Sequence, residues 1–239
     1  MNRRKFLTTS ITLGSATGLL PMASAVAADD SVKGLVLEKS KLVPPSNGGI
    51  PVAILISAGL NVIDFSGPWG VFESVQVPDA TEPPFRLFTL AETAEVVISG
   101  SGLKLMPHYT FANVPDVKVV VIPAQRGSDA MREWLRKTVG KADVTMSVCT
   151  GAFQLAKAGL LSGKSATTHH EYLDKLEREF PDIHVKRGVR FVESEKISTA
   201  GGLTSGTDLA LRVVERYFGR GVAQATATYM EYDGKGWIV

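Results

Sequence analysis

The chain carries one cysteine and four histidines in 239 residues. A single thiol excludes any disulfide within the chain, and one Cys with four scattered His offers no zinc-ligand spacing. Charge of one sign is missing too: 26 Lys and Arg meet 24 Asp and Glu for a net +2. The basic residues are interspersed with acidic ones, which leaves no electrostatic footprint for nucleic acid. Long hydrophobic runs are lacking, since the apolar stretch Ile11 to Ala27 is short and broken by Gly14, Gly18 and Pro21. A membrane anchor is therefore disfavoured. Neither repeats nor a disordered composition are present. What remains is 44% hydrophobic content, enough for one globular domain with a sizeable core.

The N-terminus is of another kind. Asn2-Arg3-Arg4-Lys5-Phe6-Leu7 is a basic start, and Ala23-Ser24-Ala25 or Ala25-Val26-Ala27 suits a signal peptidase. The paired arginines followed by Phe6-Leu7 resemble a twin-arginine export signal. The expected organisation is a signal peptide over residues 1–28, a flexible lead-in over 29–49 ending in Val43-Pro44-Pro45-Ser46-Asn47-Gly48-Gly49, and a folded domain over 50–239. The mature protein is expected in the periplasm, off the membrane. In that oxidising compartment an unpaired thiol is either buried and inert or put to use.

Within the domain, Ile50 to Ile56 and Val117 to Pro123 read as buried strands, and Asp143 to Val148 as a third. Asp64 to Val75 follows the first as loop and helix, Ser128 to Val139 follows the second as an amphipathic helix, and Gly151 to Leu161 follows the third. Phe85 to Leu90, Val96 to Ser99, Ile183 to Lys186 and Val189 to Ser194 read as further strands, and helices are expected at Tyr172 to Phe180, Ser205 to Phe218 and Gly221 to Tyr232. Continuous apolar strands each followed by a helix imply βαβ units, hence an α/β fold with a mostly parallel sheet covered on both faces. Sites on such sheets lie beyond the carboxyl ends of the strands. Asp64, the Pro123 to Gly127 loop and Cys149 all follow strands.

Cys149 sits in Ser147-Val148-Cys149-Thr150-Gly151, where a strand meets a small-residue turn and a helix. Free N–H groups at that helix start, with the helix dipole, predict a thiolate at neutral pH. The alternative is a buried cysteine acting as a small hydrophobe.

These residues carry a resemblance. Ser147 to Gly151, continuing through Leu155-Ala156, Ala158-Gly159-Leu160-Leu161, Gly163-Lys164 and Ala166-Thr167-Thr168-His169, resembles the ThiJ/PfpI superfamily, whose fold is a class I glutamine amidotransferase-like, flavodoxin-type three-layer sandwich. Asp64-Phe65-Ser66-Gly67-Pro68 with Val71-Phe72 is similar to the first motif of its isonitrile hydratase-like branch, and Gly201-Gly202 with Thr204-Ser205-Gly206 and Asp208 to a third. The resemblance spans most of residues 50–232. It implies a nucleophile elbow at Cys149, an acidic partner at Asp64, Thr150 beside the thiol, and His169 nearby. It also implies a homodimer and a cofactor-free, metal-free reaction on a small molecule. In that branch a thiolate attacks the terminal carbon of an isonitrile, and a carboxylate helps deliver water and protons to give an N-substituted formamide.

Each residue also has a structural reading. Asp64 suits a helix N-cap, and Thr150 a first-turn position whose N–H could serve as an oxyanion donor, with Gly151 beside it. His169 and His170 could be hydrogen-bonded at the sheet end, and His108 and His184 read as structural. The superfamily's Pro-Gly-Gly loop, whose glycine amide helps form an oxyanion hole, here reads Pro123-Ala124-Gln125-Arg126-Gly127. Gln125 and Arg126 would narrow the mouth if Gln125 adopts the glycine's backbone, though Arg126 also suits a solvated loop. No histidine occurs in residues 201–239, which disfavours an amidotransferase triad, and Thr150 stands where protease and glyoxalase-like members place a histidine. A non-catalytic reading also stands: a periplasmic ligand-binding or redox-sensing protein whose Cys149 oxidises reversibly. Fusion to an AraC-type DNA-binding module does not suit an exported chain.

Overall fold

The structure is a computed structural model that describes residues 37–38 and 40–239. The signal peptide expected over 1–28 lies outside the described residues. The chain runs β1 (Ile50–Leu55), α1 (Val62–Glu73), β2 (Phe85–Ala91), β3 (Val97–Ile98), β4 (Lys104–Leu105), β5 (Tyr109–Thr110), β6 (Val119–Ile122), α2 (Asp129–Thr138) and β7 (Val144–Ser147). A single 3₁₀ turn, Cys149–Gly151, then leads into α3 (Ala152–Lys157). The second half follows as β8 (Ser165–Ala166), α4 (Leu173–Glu179), β9 (His184–Val185), β10 (Phe191–Ser194), β11 (Ile197–Ala200), α5 (Ser205–Phe218) and α6 (Arg220–Tyr229).

Seven strands form the central sheet in the order β10-β11-β7-β6-β1-β2-β5. All neighbours pair in parallel except the β10–β11 hairpin. Period-two alternation in buried strands sorts their side chains into two cores. Val52, Ile54, Val119, Val121, Val144 and Met146 face one layer with Val71 and Phe72 of α1, Leu209 and Val213 of α5, and Ala223 of α6. Ala53, Leu55, Val120 and Ile122 face the other with Met131 and Leu135 of α2, Leu155 of α3 and Leu176 of α4. This is the expected α/β three-layer arrangement. No helix among the described residues is long and apolar enough to cross a membrane.

Three differences from the sequence reading bear on the site. The helix expected over Gly151 to Leu161 is only six residues of α-helix after the 3₁₀ turn, so few aligned N–H groups lie behind the thiol. Strand β11 was not anticipated: Ile-Ser-Thr-Ala has two adjacent hydroxyl residues at its centre and no period-two alternation, yet it is fully buried between β7 and β10. The lead-in, expected flexible, is docked over its described part. Leu42 N donates to Arg216 O at 2.9 Å, Arg212 Nη2 donates to Glu38 O at 2.7 Å, and Glu38 N donates to the buried carboxylate of Glu193 at 3.2 Å.

Candidate active site

Beyond β7 the chain makes a sharp elbow. Val148 N still donates to Ile122 O at 3.0 Å, and at Cys149 the backbone turns into the left-handed region with φ of 56°. A non-glycine residue there costs about 1–3 kcal/mol and persists only where its surroundings over-determine it. Cys149 N donates to Gly201 O at 2.7 Å, and Thr168 Oγ1 donates to Cys149 O at 2.8 Å. A side chain at Gly151 would overlap Ile122 O, so glycine is what lets the turn close against β6. Strain and packing thus present the sulfur of a residue that is 7% exposed.

Asp64 arrives from the other side. The N-cap of α1 is not Asp64 but Asn61, whose side chain accepts from Ile63 N at 3.2 Å. That frees Asp64, in the first turn, to point inward with no exposed surface. The DFSGP and TSGTD segments explain how α1 comes so near. A Cβ on Gly67 would stand 2.9 Å from Thr207 Oγ1, and one on Gly206 would stand 2.9 Å from Val148 and 3.3 Å from Pro68. The two glycines permit α1, α5 and the elbow to meet at near backbone contact. Ala124 N donates to Asp64 Oδ2 at 3.1 Å. The Cys149 thiol and the Leu203 backbone N–H both lie in hydrogen-bonding reach of the carboxyl, while Oδ1 closes no well-directed bond within the protein.

Burial pushes Asp64 up to about 6, opposed by the Ala124 N–H, the thiol and the Leu203 N–H. Burial also pushes Cys149 up to about 11, reinforced by the neighbouring Asp64 carboxylate and opposed by hydrogen bonds from Thr150 and Leu203. The thiolate predicted from a helix N-terminus is therefore corrected. At neutral pH the pair holds one proton, and it sits on sulfur. Desolvation next to a carboxylate outweighs the few N–H groups of a turn and a short helix.

The other sequence-predicted residues divide. Thr150 touches the thiol through both its backbone N–H and its side chain. The N–H of Gly151 donates to Val148 O at 2.9 Å, so its contribution is the missing side chain rather than an oxyanion donor. Gln125 stays at negative φ, and its side-chain amide donates to Leu55 O at 3.1 Å. Arg126 is exposed. His169 packs against Gly202, and its Nδ1 accepts from Glu171 N at 3.3 Å; the groups that set the ionisation of Cys149 are Asp64, Thr150 and Leu203. His170 is an exposed ring tilted 30° against that of His169, with centroids 4.3 Å apart. Asp208 accepts from Arg190 Nε at 2.6 Å and from Tyr232 Oη at 2.9 Å, a structural ion pair. The sequence reading missed Leu203. It lies inside the Gly201 to Asp208 motif, and its positive φ of 50° aims its N–H at both reacting groups. Side-chain chemistry gave no signal for a backbone donor. Among the described residues no group of His, Cys, Asp and Glu could hold a metal ion.

Residues 51–216 match the DJ-1/PfpI family along most of the domain. The chain belongs to the DJ-1/PfpI family. Among DJ-1/PfpI relatives, isonitrile hydratase of Pseudomonas putida is 31% identical over 189 residues, which cover 77% of this chain and 78% of that protein. A solved ThiJ/PfpI family protein from Pseudomonas syringae superposes with a TM-score of 0.69 at 27% identity, covering 78% of this chain and 76% of that one. The HTH-type transcriptional regulator GbdR of Pseudomonas aeruginosa is 26% identical over 161 residues, covering 62% of this chain but only 42% of that protein. Hydratases and regulators thus share this DJ-1/PfpI domain, and the fold leaves the choice between them to the site.

Proposed function

We propose that this DJ-1/PfpI protein is a cysteine-dependent hydratase that converts small isonitriles to N-substituted formamides. The observation that carries the reading is a neutral, buried thiol in hydrogen-bonding reach of a buried carboxylate that is ionised above about pH 6. An isonitrile carbon accepts a soft sulfur nucleophile and needs a proton as it does so. Asp64 takes the Cys149 proton as the S–C bond forms, then passes it to the isonitrile carbon, giving a thioformimidate on sulfur. Asp64 next accepts a proton from water, whose oxygen adds to that carbon, and hands that proton to the nitrogen. The C–S bond then breaks as Asp64 carries the adduct's hydroxyl proton to sulfur, and the formamide leaves. The N–H groups of Thr150 and Leu203, which already favour negative charge on sulfur, would stabilise the thiolate-like transition state. No step calls on a metal or organic cofactor.

The P. putida relative supports this substrate class. A neutral thiol also weighs against the redox-sensing alternative, because oxidants react with thiolate rather than thiol. We propose further that the twin-arginine-like leader directs the protein to the periplasm, where it acts as a homodimer on a small molecule. The deciding experiment incubates purified protein with a panel of alkyl and aryl isonitriles and follows formamide by mass spectrometry. Inactivity across the panel, with intact fold, would refute the hydratase reading.

A further inference from the structure

The loop Pro123-Ala124-Gln125-Arg126-Gly127, which departs from the superfamily's Pro-Gly-Gly, serves Asp64 twice. Ala124 N donates to Asp64 Oδ2 at 3.1 Å, and Ala124 O accepts from the N–H of Asn61, the cap of α1, at 2.9 Å. One residue, through the peptide units on either side of it, therefore fixes both the carboxylate and the start of the helix that carries it. The loop itself needs holding, because it has left the sheet and its next two carbonyls face the interior.

Those carbonyls are held by Gln154, a residue of α3 that is 3% exposed. Its Nε2 donates to Gln125 O at 3.3 Å and to Arg126 O at 3.1 Å. Its Oε1 accepts from Arg132 Nη1 at 3.0 Å, which fixes the amide's orientation, and Arg132 in turn pairs with Asp129 at 2.6 Å. The fit is close: Gly127 has φ of 68°, and a side chain there would overlap the Gln154 amide. Other bonds, Arg126 N to Ala58 O at 3.0 Å and Gly127 N to Ser57 Oγ at 3.0 Å, tie the loop to the end of β1. Gln154 ties it instead to the segment that bears the nucleophile, five positions after Cys149.

We propose that Gln154, oriented by Arg132, is a positioning residue that couples the Cys149 segment to the 123–127 loop and so sets the Ala124 hydrogen bond to Asp64. Its consequence for turnover rests on the hydratase reading; its consequence for Asp64 does not. Without the amide, two interior carbonyls lose their donor and the loop relaxes to find water. Asp64 then loses an N–H that favours its charged form and titrates at higher pH.

The test uses Gln154→Glu, which keeps the acceptor facing Arg132 and removes the donor, and Arg132→Met, which leaves the amide in place but free to turn. In each folded variant, carbon-13 NMR follows the Asp64 carboxyl through a pH titration, and hydrogen exchange follows the Ala124 amide. The expected result is a titration displaced upward from about 6, with Ala124 exchange about tenfold faster or more, and smaller changes for Arg132→Met. If isonitrile turnover exists, the acid limb of kcat/KM moves with the Asp64 titration while the alkaline plateau changes little. Unchanged titration and exchange in both variants would overturn the proposal. Displaced titration in a protein whose wild type turns over no isonitrile would leave the positioning role standing and remove the hydratase reading.

Discussion

Asp64 and Glu193 are both carboxylates with no exposed surface, yet the fold treats them oppositely. Glu193 on β10 receives Arg212 Nε at 3.1 Å, Arg216 Nη1 at 3.3 Å and the Glu38 N–H at 3.2 Å. Its charge is met by two guanidinium groups, and the pairing clips the residues before β1 onto α5 through Ser40 and Leu42. Asp64 receives N–H groups and a thiol but no cation, and keeps one oxygen without a well-directed partner. The difference teaches what each is for. A buried charge that is fully paired holds structure, whereas one left short of partners has a displaced pKa and can move a proton.

The largest way to sharpen this contrast is at the sulfur. Cys149→Ala is expected to lower isonitrile turnover by at least about a thousandfold in formamide assays while the protein stays folded, since the strained elbow is held by backbone bonds. Residual turnover within tenfold of wild type would remove Cys149 from the chemistry. Next, Glu193→Ala is expected to cost about 3–5 kcal/mol in urea unfolding, because it removes the carboxylate that buried Arg212 and Arg216 share and leaves Arg216 without an acidic partner among the described residues, and to leave the Asp64 titration in place. A loss below about 1 kcal/mol would place the triad among weak surface pairs.

Asp64→Asn is expected to go the other way. A carboxyl raised from 3.8 to about 6 by folding destabilises the native state when ionised, so its stability contribution is complete below 3.8 and fades as pH rises through about 6. The amide should raise stability by about 2–3 kcal/mol at pH 8, and the gain should vanish below pH 4. Turnover should fall about a hundredfold or more. A destabilised variant at pH 8 would erase the contrast with Glu193.

The pH profile follows from the same pair. The value of kcat/KM should rise as pH passes upward through about 6, when Asp64 becomes the base, and iodoacetamide should label Cys149 slowly until pH approaches about 11. Rapid labelling with an inflection near 8 or below would restore the thiolate expectation. The smallest effect is expected at His169, where His169→Ala should change turnover less than about tenfold, because its Nδ1 is engaged by the Glu171 N–H. A shift of the pH profile in that variant would return His169 to the proton path.

Much of this was legible in the chain. The apolar runs at Ile50, Val117 and Asp143 marked three central strands, and helix α5 at Ser205–Phe218 matched its expected span. Strand β11 was hidden because Ser198 and Thr199 look like loop residues until β7 and β10 bury them. The lead-in looked flexible because Pro44-Pro45 and Gly48-Gly49 are local signals, whereas what docks it lies about 155 to 176 positions away in Arg212, Arg216 and Glu193.

The sequence by itself determined the layered α/β fold, the elbow that isolates one thiol and the small residues that let α1 and α5 approach it. These follow from periodicity and from glycine, which act within a few residues. Only the tertiary structure decided that the proton rests on sulfur, that Leu203 lends its N–H, and that Gln154 holds the loop behind Asp64. Desolvation and hydrogen bonds between residues 28 to 139 positions apart depend on which segments the fold brings together, and no local pattern encodes that sum.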